Sequence, residues 1–186
     1  MSPVVRLVHL NGPPGIGKST LARRYADEHP GVLDLDIDQL RGMIGGWRDR
    51  FAETGEIVRP LALAAAAAHL SGGRDVVLPQ YLGNITEIER FEAVARQSGA
   101  EFREVVLLDT KQRSVERFAR RGADGDGEWH RQVKTIVERE GGAAFLAQMH
   151  DRLADVIRAR PAVTVLTSEE GAIESTYDTL LSVLRR

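Results

Sequence analysis

Lys18 and Ser19 close the stretch Gly12-Pro13-Pro14-Gly15-Ile16-Gly17-Lys18-Ser19, which satisfies G-x-x-x-x-G-K-[ST] in full. An ammonium and a hydroxyl at the end of a glycine-rich loop, just before a helical pattern, are the groups that hold a polyphosphate. Glycines 12, 15 and 17 allow backbone dihedrals that turn the N–H groups of Gly15 to Ser19 inward, and the following helix adds its partial positive charge. Lys18 then bridges the β- and γ-phosphates, Ser19 ligates Mg²⁺, and Thr20 completes the contact stretch. The expected ligand is a nucleoside triphosphate with magnesium.

Transfer of the γ-phosphate further needs a carboxylate to take the acceptor's proton and cations to offset charge. The stretch "LDLDIDQLR" supplies Asp34, Asp36 and Asp38, followed by Arg41. A carboxylate leaving a strand beside the phosphate loop is well placed as a base, and Asp38 is the candidate; its plain alternative is the cap of the next helix. A P-loop protein usually also carries an acid on the strand next to the loop's own, whereas "DVVLPQYL" offers Gln80 there. Either Asp36 takes the outer metal role, or Ser19 and the phosphates hold the metal alone. Gln80 is then an acceptor contact or simply part of a loop. The chain has no D-x-x-G and no N-K-x-D, which argues against a GTPase.

Asp38-x-x-Arg41 and Arg117-x-x-x-Arg121-Gly122, together with Gly12 to Thr20, resemble the kinase domain of the bacteriophage-type polynucleotide 5′-kinases. The resemblance extends to chloramphenicol phosphotransferase and the zeta-toxin kinases, all P-loop phosphotransferases. It implies Asp38 as general base, Arg41 orienting Asp38 or binding the acceptor, and Arg117 and Arg121 closing over the phosphates from a lid. Arg120 competes with Arg121 for that task, because helical spacing turns the two about 100° apart. On residue type alone, these arginines equally suit a solvated basic face. Trp47, with Arg48, Arg50, Phe51 and Arg59, occupies the acceptor region; an aromatic and arginine set suits stacking and ion pairing, while Trp47 and Phe51 also have the spacing to pack a helix on the core.

The elements around these groups alternate between strand and helix. Strands are expected over 4–10, 32–36, 75–82, 104–108 and 162–166. Helices are expected over 18–28, 38–41, 60–70, 84–98, 112–121, 128–139, 143–159 and from a Ser168 cap to the end, with 42–60 as loop and short helix. This is an α/β pattern: a three-layer P-loop fold with a five-stranded, mainly parallel sheet and a helical lid at about 112–140. At 186 residues the chain is read as one domain. The near-neutral net charge of −2 removes bulk electrostatic binding of nucleic acid, and a polynucleotide acceptor would need a local grip. With no cysteine, there is no disulfide, thiolate metal site or cysteine nucleophile. No signal-peptide pattern or long apolar run is seen, so a cytoplasmic protein is expected. The function read from sequence is an ATP-dependent phosphotransferase acting on a hydroxyl of a nucleoside, sugar or antibiotic; a polynucleotide 5′-kinase and a nucleotide-hydrolysing switch are the alternatives.

Overall fold

The computed structural model describes residues 4–120 and 128–185. Its elements run β1 Arg6–Asn11, α1 Lys18–Glu28, β2 Leu33–Asp34, α2 Ile37–Gly42, α3 Phe51–Ser71, β3 Val76–Leu78, α4 Ile85–Gln97, β4 Glu101–Leu108, α5 Lys111–Arg120, α6 Glu128–Arg139, α7 Ala143–Ala159, β5 Thr164–Thr167 and α8 Ile173–Leu184. The five strands form one sheet in the order β2-β3-β1-β4-β5, and every pairing is parallel. Parallel strands require crossovers, and the helices between them cover both faces of the sheet.

Side-chain alternation divides the core accordingly. Leu7, Val76 and Leu78 face a layer built from Val58, Ala62 and Ala66 of α3, Ile88 and Phe91 of α4, and Val156 of α7. Val8, Leu10, Val77 and Val105 face the opposite layer of Leu21, Ala22 and Tyr25 from α1 with Tyr177 and Leu180 from α8. Burial on both faces is why these strands read as continuous apolar runs. A third, smaller cluster of Val137, Leu146 and Met149 joins α6 to α7, with Val115 and Phe118 of α5 and Tyr81 packed against it.

Three expectations need correction. The 42–60 stretch is not chiefly loop: α3 begins at Phe51 and runs through Pro60. Proline removes one N–H from that helix, and Pro60 is tolerated on its solvent face. The cap of α2 is Asp36 rather than Asp38; its Oδ1 accepts from the N–H groups of Asp38 at 2.9 Å and Gln39 at 3.4 Å. Ser168 does not cap the last helix, which begins after Ala172 without a side-chain cap. No helix among the described residues is long and apolar enough to cross a membrane.

Candidate functional site

At the end of β1 the chain enters the phosphate loop. Gly12, Gly15 and Gly17 have φ of 149°, 81° and 107°. A Cβ at Gly12 would lie 2.6 Å from the carbonyl oxygen of Leu107 and 2.9 Å from Cγ2 of Ile16, so only glycine lets the loop lie this close to β4. Pro13 and Ile16 are buried in the loop, and Pro14 and Gly15 are half-buried at its mouth. Lys18 curls back so that Nζ donates to the carbonyls of Gly12 at 2.8 Å and Pro13 at 3.0 Å. Ser19 and Thr20 are exposed in the first turn of α1. That helix starts at Gly17 with no side-chain cap and no acid in its first turn. Its leading N–H groups are therefore left for an external acceptor, and an anion fits them. Asn11 steadies the floor: its amide donates to the Leu82 carbonyl at 2.9 Å, while its oxygen accepts from Leu82 N at 3.0 Å and Gly12 N at 2.9 Å.

Asp38 and Arg41 lie three residues apart on α2 and so share one face. Burial pushes the Asp38 carboxyl up to about 6, helped by the nearby charge of Asp36 and opposed by Arg41 and Lys18. Asp38 therefore stands within the field of the phosphate-loop lysine. Arg41 is buried at 8% exposure. Its Cζ sits 3.9 Å over the Phe51 ring, a Cβ at Gly55 would come 3.2 Å from its Nη2, and its Nε has no hydrogen-bond partner. Burial presses its guanidinium below the usual range, while Asp38 acts the other way. Among the described residues, no group of three or more His, Asp or Glu side chains gathers as a metal cage. Mg²⁺ would rest on Ser19 and the phosphates, with the acids of α2 nearby.

Arg117 of α5 donates from Nη1 to the Ser168 carbonyl at 3.0 Å. A Cβ at Gly17 would lie 3.8 Å from its Nη2, so Arg117 borders the cradle. Ser168 in turn donates its hydroxyl to the Ile16 carbonyl at 3.0 Å. Between α5 and the turn after β5 lies a cavity of about 340 Å³, lined by Asp109, Arg113, Arg117 and Glu169 among others.

Residues 7–149 match the model of a family described as an AAA domain, a span that covers most of the chain. The chain belongs to the AAA domain family. Its phosphate-loop motif and its five-stranded parallel sheet give this AAA domain a P-loop kinase-like fold. Two solved structures share the fold of this AAA domain along nearly their whole length. The Deinococcus radiodurans tunicamycin resistance protein is 16% identical, with a TM-score of 0.61 over 97% of this chain and 95% of that one. A gluconokinase from Sinorhizobium meliloti 1021 is 17% identical, with a TM-score of 0.60 over 99% and 97%. No curated protein matches the chain in sequence.

The fold of this AAA domain brings Lys18, Asp36 and Arg41 within electrostatic reach of Asp38 and sets Arg117 beside Gly17. Arg120 turns away to ion-pair with Glu170 and Glu116, so of the two described arginines it is Arg117 that borders the loop. Arg121 lies outside the described residues, as does the 121–127 loop. Trp47 is buried at 7% exposure, with the Arg48 guanidinium 5.0 Å from its ring centre. Gln80 is held through its backbone: its carbonyl accepts from His9 Nε2 at 2.9 Å, and its buried side-chain oxygen has no hydrogen-bond partner. Sequence reading placed Phe51 in the acceptor region and Ser168 as a helix cap, but missed the contacts of Phe51 with Arg41 and of Ser168 with Ile16, and it gave Asn11 and Gly55 no role. Asn11, directly before the glycine loop, had a positional signal; Gly55 meets Arg41 only through the fold.

Proposed function

We propose that this chain transfers the γ-phosphate of ATP to a hydroxyl of a small molecule, with Asp38 as the general base. The observation that carries the reading is the Asp38 carboxyl, pushed up to about 6 by burial and held within the field of Lys18. A base poised near neutral pH beside the phosphate loop is what transfer to an alcohol requires. In the proposed step, the acceptor oxygen bonds to the γ-phosphorus as the bond to the bridging β-oxygen breaks. ADP departs, and the hydroxyl proton goes to Asp38. Lys18 and Arg117 offset the charge from two sides, and Ser19 holds Mg²⁺, which when bound neutralises charge on the β- and γ-oxygens. The base and ribose of ATP are assigned to the cavity beside Asp109 and Arg113. Arg121 is carried as a lid cation, and Asp36, Arg41, Trp47 and Gln80 as the acceptor side.

The fold likeness to a tunicamycin resistance protein and to a gluconokinase makes antibiotics and sugar-derived alcohols the first acceptors to try. The test is label transfer from γ-labelled ATP with Mg²⁺ to pooled nucleosides, sugars, hydroxylated antibiotics and a 5′-hydroxyl oligonucleotide. An Asp38→Asn variant that keeps its MgATP affinity and loses transfer supports the reading. Unchanged turnover in that variant removes Asp38 from the role, and release of inorganic phosphate alone favours a nucleotide-hydrolysing switch.

A further inference from the structure

Helix α3 turns an apolar side to solvent. From Pro60 to Leu70 it reads PLALAAAAAHL, without one Asp, Glu, Lys or Arg. Its inward positions Val58, Ala62, Ala66 and Leu70 recur at helical spacing and are buried in the main core. On the outer side Ile57 and Leu61 are 45% and 50% exposed, and Pro60, Ala64 and Ala68 are exposed with them. A helix face turned to water is ordinarily lined with charged and polar side chains, and a contiguous apolar one marks an interaction surface.

Ile57, Leu61, Ala64 and Ala68 recur at intervals of four, three and four, which is the spacing of a seam between two helices. Charge of opposite sign bounds that seam. Glu53 and Glu56 stand exposed at its N-terminal end. At the C-terminal end come His69 and the exposed Arg74, whose guanidinium lies beside the end of the helix, 3.5 Å from where a Cβ on Gly72 would sit. One occupant satisfies both features: the same helix of a second copy, run antiparallel. With the twofold axis between Leu61 and Ala64, Ile57 of each copy faces Ala68 of the other and Leu61 faces Ala64, so a large side chain meets a small one at every contact. The acidic end of each helix then lies against the basic end of the other, and the helix dipoles oppose. A parallel pair would set Ile57 on Ile57, Ala68 on Ala68 and Glu53 on Glu53, with a gap at one end and like charges at the other. A lipid surface is matched by Lys and Arg along the polar face, whereas Glu53 and Glu56 flank this seam.

We propose that the chain self-associates as a twofold dimer through the outer face of α3, with Ile57, Leu61, Ala64 and Ala68 of both copies forming one antiparallel seam. The proposal stands on the exposed side of the helix and does not depend on the phosphotransfer reading; Phe51 and Gly55 meet Arg41 on the inward side. From Glu53 to Ser71 the seam is about 27 Å long. One helix pair of that length covers less than the ~800 Å² per partner of a standard complex, so the dimer is weak, with a Kd on the order of 10 µM.

Sedimentation velocity on the full chain from about 1 to 300 µM reads the equilibrium, and the melting temperature should rise with concentration over the same range. Leu61→Glu sets like charges across the axis and should raise the dimer Kd by about tenfold or more, with the parent melting temperature at the lowest concentration. Ala64→Arg, which removes no apolar group, gives the same reading should Leu61→Glu fail to fold. Because the chain has no cysteine, introduced thiols report the register. Ile57→Cys combined with Ala68→Cys should oxidise to a covalent dimer. Ile57→Cys alone should not, since the antiparallel register holds the two copies of that residue about 16 Å apart along the seam.

A chain that stays monomeric up to the highest concentration overturns the seam, as does a dimer whose Kd moves with neither charged variant. A covalent dimer formed as readily by Ile57→Cys alone overturns the antiparallel register and with it the proposal. A monomer that binds vesicles of phosphatidylcholine and phosphatidylserine, and loses that binding in Leu61→Glu, gives the face to a lipid surface and overturns the dimer.

Discussion

The Asp38 carboxyl is pushed up to about 6 by burial, which strips water from it, and by the Asp36 carboxylate, whose charge opposes a second negative charge beside it. A base works only unprotonated, so kcat/KM should fall as pH drops through about 6, and a pH–rate profile in the range 4.5–8 checks this. The same raised pKa has a sign for stability. Its contribution is full below the unfolded aspartate range and is lost as pH rises through about 6, so ionised Asp38 weighs against the fold at neutral pH. Asp38→Asn is therefore expected to be at least as stable as the parent at pH 8 by urea denaturation while losing transfer; a clear loss of stability would mean the carboxylate is structural. Gly55 separates function from stability in the same way. Gly55→Ala improves the backbone propensity of a buried helix-interior position by up to about 1 kcal/mol, yet sets a methyl 3.2 Å from Arg41 Nη2. It should hold or raise the melting temperature while raising acceptor KM several-fold. The Asp38-x-x-Arg41 spacing was legible because it is local. Phe51 was legible as an aromatic of the acceptor region but its contact with Arg41 was not, and Gly55 was not legible at all, because both touch a side chain ten or more residues away.

Elements were legible where burial writes itself into the sequence. The apolar runs of β1, β3 and β4 announce strands covered on both faces, and α1 and α4 show their inward positions at helical spacing. The start of α3 was hidden, since Pro60 reads as a helix beginning and the Arg- and Gly-containing stretch before it lacks periodicity. The turn after β5 shows what an element contributes beyond its own shape: Ser168 ties it to the Ile16 carbonyl, and its own carbonyl receives Arg117. Ser168→Ala removes the first tie. A lost buried hydrogen bond of about 1 kcal/mol should weaken MgATP binding by about fivefold, read by equilibrium titration; unchanged affinity would show that the loop keeps its shape without it. His9 on β1 is fully buried, and burial lowers its pKa to about 4, with the charges of Lys18 and Arg160 acting in the same direction. Its neutral form is required by the fold, so stability should decline as pH falls from about 6.5 toward 4, by about 3 kcal/mol at the limit. His9→Gln, which removes the titration, should flatten that decline in urea unfolding at pH 7 and pH 5.

Helices cover both faces of the sheet, and a smaller helical cluster stands beside them. Helices α5, α6 and α7 share the small core of Val137, Leu146 and Met149. Among the described residues their ties to the rest of the fold include Val156 in the main core, Tyr81 donating its hydroxyl to the Met149 carbonyl at 3.2 Å, Gln132 of α6 donating to the Arg48 carbonyl at 2.8 Å, and Arg117 donating to the Ser168 carbonyl. One of these reaches the turn at Arg48 and another the turn after β5 beside the phosphate loop, so a ligand proposed to fix that loop would tighten the arrangement. MgATP at 100 times its Kd should stabilise the chain by about 2.7 kcal/mol. At about 2–4 °C per kcal/mol for a chain of this size, the melting temperature should rise by roughly 5–11 °C in a thermal melt with non-hydrolysable analogue. Lys18→Met should abolish the rise while melting near the parent temperature without nucleotide. If the variant still gains several degrees, the polyphosphate does not depend on Lys18, and the charge balance drawn from the phosphate loop has to be reassigned to the helix N-terminus alone.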